Sequence, residues 1–362
     1  MKDSLKERTA QKMAAKLPVL SALCLFLSTI EYMIPKPLPF IRLGLANAPL
    51  LLALRMPPSS FFLLVFVKIL GQAFISGTLF SYVFLLSLSG TTLSAAAMYF
   101  LRRIAPEKYM SLLGISVTGA VISSITQIAL ARLFILGPGA VYIMPPFLAM
   151  SIISGTALGA FCERFAAKSR WYRDGPVEAS AAAPILPEKQ PACSGAYGGG
   201  KKPLLDTNKI PPAPLFFAGL FMAAALLFTK GVMVRSVLFF AFLLLALLAG
   251  KTGNIFLTFV FFVVIVLFNA LIPYGRVLFE IGAFSLTEGA LTQGIEKAAT
   301  VEGLVMLSRF TISPRLRLPG RAGALLTESF LLLPQLYEKK AAIHTKTFID
   351  DIDKALLELN AK

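Results

Sequence analysis

The sequence predicts an all-α, polytopic membrane protein, and three observations carry that prediction. The 362 residues are 56% hydrophobic and only 15% charged, against about 45–50% apolar and roughly 25% charged in soluble domains. Mean hydropathy is +0.74. The apolar residues also fall in runs long enough to cross a hydrocarbon core, with basic residues between the runs. Lipid is the solvent this chain suits.

The formal charge is 35 − 19 = +16. Such a balance serves nucleic acid or an anionic membrane face. No nucleic-acid module is present and the cations punctuate apolar runs, so no nucleic-acid partner is expected and membrane lipid is. Cys24 and Cys162 lie in apolar runs and Cys193 in a polar one, without disulfide or zinc spacing. A single His344 rules out a multi-histidine metal centre, and no GxxxxGK[ST] loop offers ATP binding by that route.

Lys2, Lys6, Arg8, Lys12 and Lys16 precede an apolar run, Leu17–Ile34, that lacks a small-residue cleavage site. It reads as an anchor with the N-terminus in the cytoplasm. Five more candidate spans follow: Leu43–Leu54, Ser59–Thr78, Leu79–Phe100, Ser111–Leu136 and Tyr142–Cys162. Six crossings return the chain to the cytoplasm. Arg102, Arg103 and Lys108 after the fourth, and Arg164, Lys168, Arg170 and Arg173 after the sixth, agree with that count. The uncharged Gly137-Pro138-Gly139 turn suits the outside. Lys36 and Arg42 fall outside too, against the usual bias, where they could meet something anionic.

Pro35–Leu54 is unusual: a proline-rich basic loop runs into an apolar segment too short for an ordinary span. With Gly44, Ala46, Asn47, Ala48 and Pro49 it reads as a re-entrant or broken helix. Residues 164–213 are polar and rich in Ala, Gly and Pro, the composition of a flexible cytoplasmic linker. The chain thus divides into a membrane domain over 1–163, the linker, and a second membrane block with amphipathic C-terminal helices over 214–362. In that block Ala213–Thr229, Val232–Ala249 and Asn254–Ile272 are apolar. Leu286–Thr311 has helical amphipathic spacing, as an interior-lining or an interfacial helix. The tail Leu325–Leu359 is amphipathic as well. Asp350-Asp351-Ile352-Asp353 has no second aspartate-rich partner and reads as a solvated helix face, not as a Mg²⁺–diphosphate site.

Ionisable groups within spans cost about 2.5–3.5 kcal/mol at a helix centre and mark function by default. Glu31, Lys68 and Arg132 stand out, with Asn47, Gln72 and Gln127 as polar companions. Lys68 and Gln72, four apart, share a helix face. With Arg42, the residues Glu31, Asn47, Lys68, Gln72 and Arg132 are the candidate ligand-binding set. The same residues also suit a structural ion pair, Glu31 with Lys68 or Arg132, or side chains snorkelling to the interface. Small residues at Gly71, Ser76, Gly77, Ser87, Ser89 and Gly90, and again at Ser154, Gly155, Ala157 and Gly159, favour close helix packing. No catalytic residue is proposed.

Pro-Leu-Pro-Phe-Ile-Arg-Leu-Gly-Leu-Ala-Asn at 37–47, with Lys68-Ile-Leu-Gly-Gln and Gly77-Thr-Leu-Phe-Ser, resembles the Gx transporter family, also called heptaprenyl diphosphate synthase component I. The resemblance reaches about Glu163. It implies a six-helix bundle like the substrate-binding S components of energy-coupling factor (ECF) transporters, in a bacterial cytoplasmic membrane. Leu286-Thr287-Glu288-Gly289-Ala290, Met306–Thr311 and Leu331–Leu336 are similar to the ECF T component, which docks an ABC ATPase pair. No Ala-Arg-Gly-like coupling motif appears where His344-Thr345-Lys346 stands. These likenesses imply a transport component that binds a vitamin or cofactor and has no intrinsic prosthetic group. The alternative they imply is a membrane component passing electrons from quinone to an extracytosolic flavoprotein, with a bound quinone or flavin. Prenyl-diphosphate synthesis rests on the family label alone.

Overall fold

The computed structural model describes residues 16–33, 44–105, 110–174, 211–251, 254–281, 284–312, 319–338 and 348–360. They are helical apart from one small hairpin. Helix α1 (Leu17–Met33) is followed by a 3-10 turn at Leu45–Asn47 and the short α2 (Ala48–Leu52). Next come α3 (Pro58–Ser76), α4 (Tyr82–Ile104), α5 (Leu112–Ala131), α6 (Ala140–Lys168) and the short α7 (Arg170–Asp174). The second block holds α8 (Pro212–Phe228), α9 (Val232–Leu248), α10 (Ile255–Ala270), an antiparallel hairpin of β1 (Val277–Ile281) and β2 (Phe284–Thr287), and α11 (Glu288–Thr311). Helices α12 (Gly320–Glu338) and α13 (Phe348–Asn360) follow.

Among the described residues, α3, α4 and the run from α5 through α6 are long and apolar enough to cross a membrane, while α1, α8, α9 and α10 are shorter apolar helices. Phe66, Leu93, Ile153, Phe221, Phe240 and Phe256 stand exposed on them. Water would penalise so much uncovered apolar surface, and lipid does not. The chain is a helical membrane protein.

The broken-helix expectation holds at 44–54. Gly44 opens the 3-10 turn at φ +74°, a left-handed geometry that a side chain resists. Pro49 sits in the first turn of α2, where a missing N–H costs nothing. Helix α2 stops after five residues, all of them buried. This stretch carries the chain from beside Lys68, in the middle of α3, to the end of the bundle where α3 begins. The Gly44 N–H donates to Glu31 Oε1 near the end of α1 at 3.2 Å. At the opposite end the Met56 carbonyl accepts from Tyr99 Oη at 3.2 Å and from Arg103 at 3.3 Å, near the close of α4. Tyr172, just past α6, reaches the Leu52 carbonyl there. Among the described residues, six α-helices precede α7, the second of them fragmentary.

Small residues let α5 and α6 touch. A Cβ on Gly159 would come 2.5 Å from the Leu113 Cα, and one on Gly155 would lie 3.1 Å from the Val117 Cα. The Ser116 hydroxyl donates to the Gly155 carbonyl at 2.8 Å across this contact. It is the small-residue packing the sequence foretold.

Helix α11 is the interior element of the second block, packed by α8, α9 and α10, with Ala298, Ala299, Leu304 and Leu307 buried. Of the two expectations for this stretch, the interior one holds; it begins at Glu288, since Leu286 and Thr287 belong to β2. The helix also lies against turns of the first block. Ser308 Oγ accepts from the Phe80 N–H at 3.3 Å, before α4. Lys297 reaches the other turn through Asn269, whose Nδ2 donates to the Ile135 carbonyl at 3.0 Å.

Helix α12 packs on α1 and α3, with Ser21 and Ser329 hydrogen-bonded and Phe26 edge-on to Tyr337. Past residue 163 the helix α6 continues to Lys168, and α7 follows with Trp171 buried; the rest of the expected linker, 175–210, lies outside the described residues. The solvated face expected at Asp350–Asp353 fails for Asp353. Its carboxylate is buried, accepts from the Ser169 hydroxyl, and takes the N–H groups of Arg170 and Trp171, each at 3.1 Å. It caps the α7 N-terminus, where negative charge meets the helix dipole. At the other end Lys16 Nζ donates to the Trp171 and Tyr172 carbonyls at 2.6 and 3.0 Å. A cation there satisfies groups that the short helix cannot.

Candidate functional site

The polar residues of the first block converge because each helix turns one small or polar strip inward. Glu31 comes from α1, Asn47 from the 3-10 turn, Lys68 and Gln72 from consecutive turns of α3, Thr91 and Ser94 from α4. Ser116, Ser123, Ser124 and Gln127 come from α5, and Ser151 and Ser154 from α6. Leu51, Met98, Phe147 and Leu158 supply apolar wall. They enclose a cavity of about 70 Å³, room for about five to seven waters.

Lys68 is 4% exposed and Glu31 2%. An uncompensated charge at such a place costs several kcal/mol, so partners decide whether it can stay. Lys68 Nζ donates to Asn47 Oδ1 at 2.9 Å and to Thr91 Oγ1 at 3.4 Å. Glu31 accepts the Gly44 N–H, and the Asn47 N–H donates to the Gly44 carbonyl at 2.8 Å. The 3-10 turn therefore anchors the carboxylate at one end and the ammonium at the other. Gln72 Oε1 is buried with no hydrogen-bond partner, and Gln127 Nε2 donates to Ser123 Oγ at 2.8 Å.

Four of the six residues singled out in the sequence thus meet: Glu31, Asn47, Lys68 and Gln72. Arg42 lies outside the described residues. Arg132 does not join them. It opens the π-helical turn after α5, beyond the last α5 residue of the lining, and is exposed. Sequence reasoning missed the hydroxyls of α4, α5 and α6, reading Ser154 and its neighbours as packing. A serine strip on one face of several consecutive apolar helices was the available signal.

A polar, charge-bearing cavity inside a lipid-facing bundle is the central feature of this helical membrane protein. Residues 20–165 match the family model for heptaprenyl diphosphate synthase component I, the Gx transporter family. That matched stretch holds every described residue that lines the cavity. Residues 215–314 match a domain of unknown function, DUF8519. No curated protein and no solved structure matches.

Proposed function

We propose that this protein is a component of a bacterial transport system that takes a small organic substrate into the α1–α6 cavity and passes it on with partner subunits. The observation that carries the reading is the cavity itself: an ammonium, a carboxylate and three side-chain amides held around open space in a membrane bundle. A bundle built only for support would fill that volume with apolar side chains. The second block serves in this reading as the T-like half, and an ABC ATPase pair is the partner class it implies. The protein binds and moves its substrate and carries out no prenyl transfer. Lys16, Arg55, Arg102, Arg103, Lys168 and Arg170 fall at the end of the bundle marked by Met56 and α7, and the positive-inside bias supports a cytoplasmic N-terminus in the cytoplasmic membrane.

The test is purification in mild detergent followed by mass spectrometry of bound small molecules and co-purifying proteins. The wild-type chain should retain a small molecule, and Asn47→Leu and Lys68→Ala should each cut its occupancy at least tenfold. Unchanged retention in both variants would remove the cavity as the site. An ATPase pair among the partners supports transport. A quinone with an extracytosolic flavoprotein would transfer the case to electron transfer.

A further inference from the structure

We infer that the β1–β2 hairpin is a membrane-interface anchor whose exposed apolar side chains, Tyr274, Val277, Leu278 and Phe279, seat among the headgroups and upper acyl chains of the surrounding phospholipid. The inference stands apart from the cavity and does not depend on what the cavity binds.

The hairpin is fastened at its base and bare above it. The Tyr274 N–H donates to Thr287 Oγ1 at 2.8 Å, and the Glu288 N–H donates to the Arg276 carbonyl at 2.8 Å. A Cβ on Gly289 would come 2.4 Å from the Tyr274 carbonyl oxygen, so α11 begins in direct contact with the chain entering β1. Those contacts fix the direction of the hairpin relative to α11. Tyr274 and Phe279 are nonetheless 72% and 61% exposed, with Val277 and Leu278 exposed beside them. The register shift between Val277 and Phe279 leaves Leu278 as the extra residue of a bulge, which breaks strict alternation and re-aims a side chain. Arg276 and Glu280 bracket the three apolar residues of β1 and are exposed too.

Two observations make lipid the occupant. The hairpin continues a surface that already faces lipid: Phe256, Phe259, Leu267 and Leu271 stand exposed along α10, and Tyr274 follows three residues on. Helix α10 is also short. Its 16 residues rise about 24 Å against a hydrocarbon core of about 30 Å, and the apolar hairpin follows where the helix falls short. The depth is bounded from the other side as well. A two-stranded ribbon leaves the outer N–H and C=O groups of both strands unpaired, and hydrocarbon offers them no partner. The headgroup region supplies water and phosphate oxygens to those groups and to Arg276, while the apolar side chains reach into the upper acyl chains.

A tryptophan placed in the hairpin of the full chain, reconstituted in liposomes of brominated phosphatidylcholine, tests this. The native sequence holds one tryptophan, Trp171, which is buried at α7, and its emission in the unsubstituted chain is subtracted. In Phe279→Trp, bromine near the glycerol end of the acyl chain should cut the added emission about twofold. Bromine near the chain terminus should act less, and iodide present on both sides of the bilayer should act least. Leu278→Trp should repeat the pattern, and it carries the test if Phe279→Trp does not fold. Quenching by iodide but not by bromine would put the hairpin in water and overturn the anchor. Protection from both quenchers would mean that protein covers it, a second copy or a partner, and would overturn lipid as the occupant. Stronger quenching from the chain terminus would overturn the interfacial depth.

Discussion

In the first block Glu31, Lys68 and Gln72 border open space, whereas in the second block several polar side chains join one helix to the next. Arg235 pairs with Glu296 at 3.2 Å and donates to Thr300 Oγ1 at 3.2 Å. Lys297 donates to Asn269 Oδ1 at 3.0 Å, and the Asn269 amide passes the bond on to the Ile135 and Ile265 carbonyls. Both blocks place charge where lipid-facing helices make it expensive. The difference lies in what the groups border: the second arrangement ties α9, α10 and α11 together, and the first lines a cavity. Charge inside a bundle is therefore no sign of a site until its partners are counted.

Three substitutions can break or sharpen that contrast. The largest effect is expected from Gly159→Leu, which forces a side chain onto the backbone of α5. Overpacking costs typically 1–3 kcal/mol and more where the obstacle is backbone, so thermal unfolding in detergent should show the greatest loss, with the ligand lost as well because the α5–α6 wall moves. Asn269→Leu should come next, at about 2–4 kcal/mol, since it strips partners from the Ile135 carbonyl and from Lys297. Its expected signature is destabilisation with ligand affinity nearly intact; an equal loss of affinity would show that the two blocks act as one site. The smallest is Asp353→Ala, at about 1–2 kcal/mol for a lost helix cap. Limited proteolysis near α7 should speed up while both the cavity and the α11 network keep their properties.

Much of the architecture was legible because hydrophobic runs and glycine–proline punctuation act locally. The boundaries of α3, α4 and α8–α10 fall close to the apolar runs, and Gly44 with Pro49 announced the fragmentary α2. The site was half legible. Glu31, Asn47, Lys68 and Gln72 stood out because ionisable and amide groups are rare among Leu and Phe. Serines did not, since a helical serine bonds its own backbone at little cost and looks like packing. Arg132 misled because the lipid side of a membrane helix is as apolar as its protein side, so periodicity in α5 does not say which way a residue faces. Asp353 misled for a different reason: its partners on α7 lie more than 180 residues away in sequence, and no local pattern encodes a cap supplied from that distance.

That clasp has a consequence for biogenesis. Asp353 and the Trp171 N–H it accepts are 182 residues apart. At a synthesis rate of about 5–20 residues per second, the first block waits about 10–35 s at the ribosome before its cap exists. During that interval the short α7 has its contacts to Lys16 and to the Leu52 carbonyl but lacks its N-terminal cap. The first block is thus sealed by the segment that emerges long after it, which orders assembly in time and makes the state before α13 arrives the natural one for chaperones and membrane proteases to inspect.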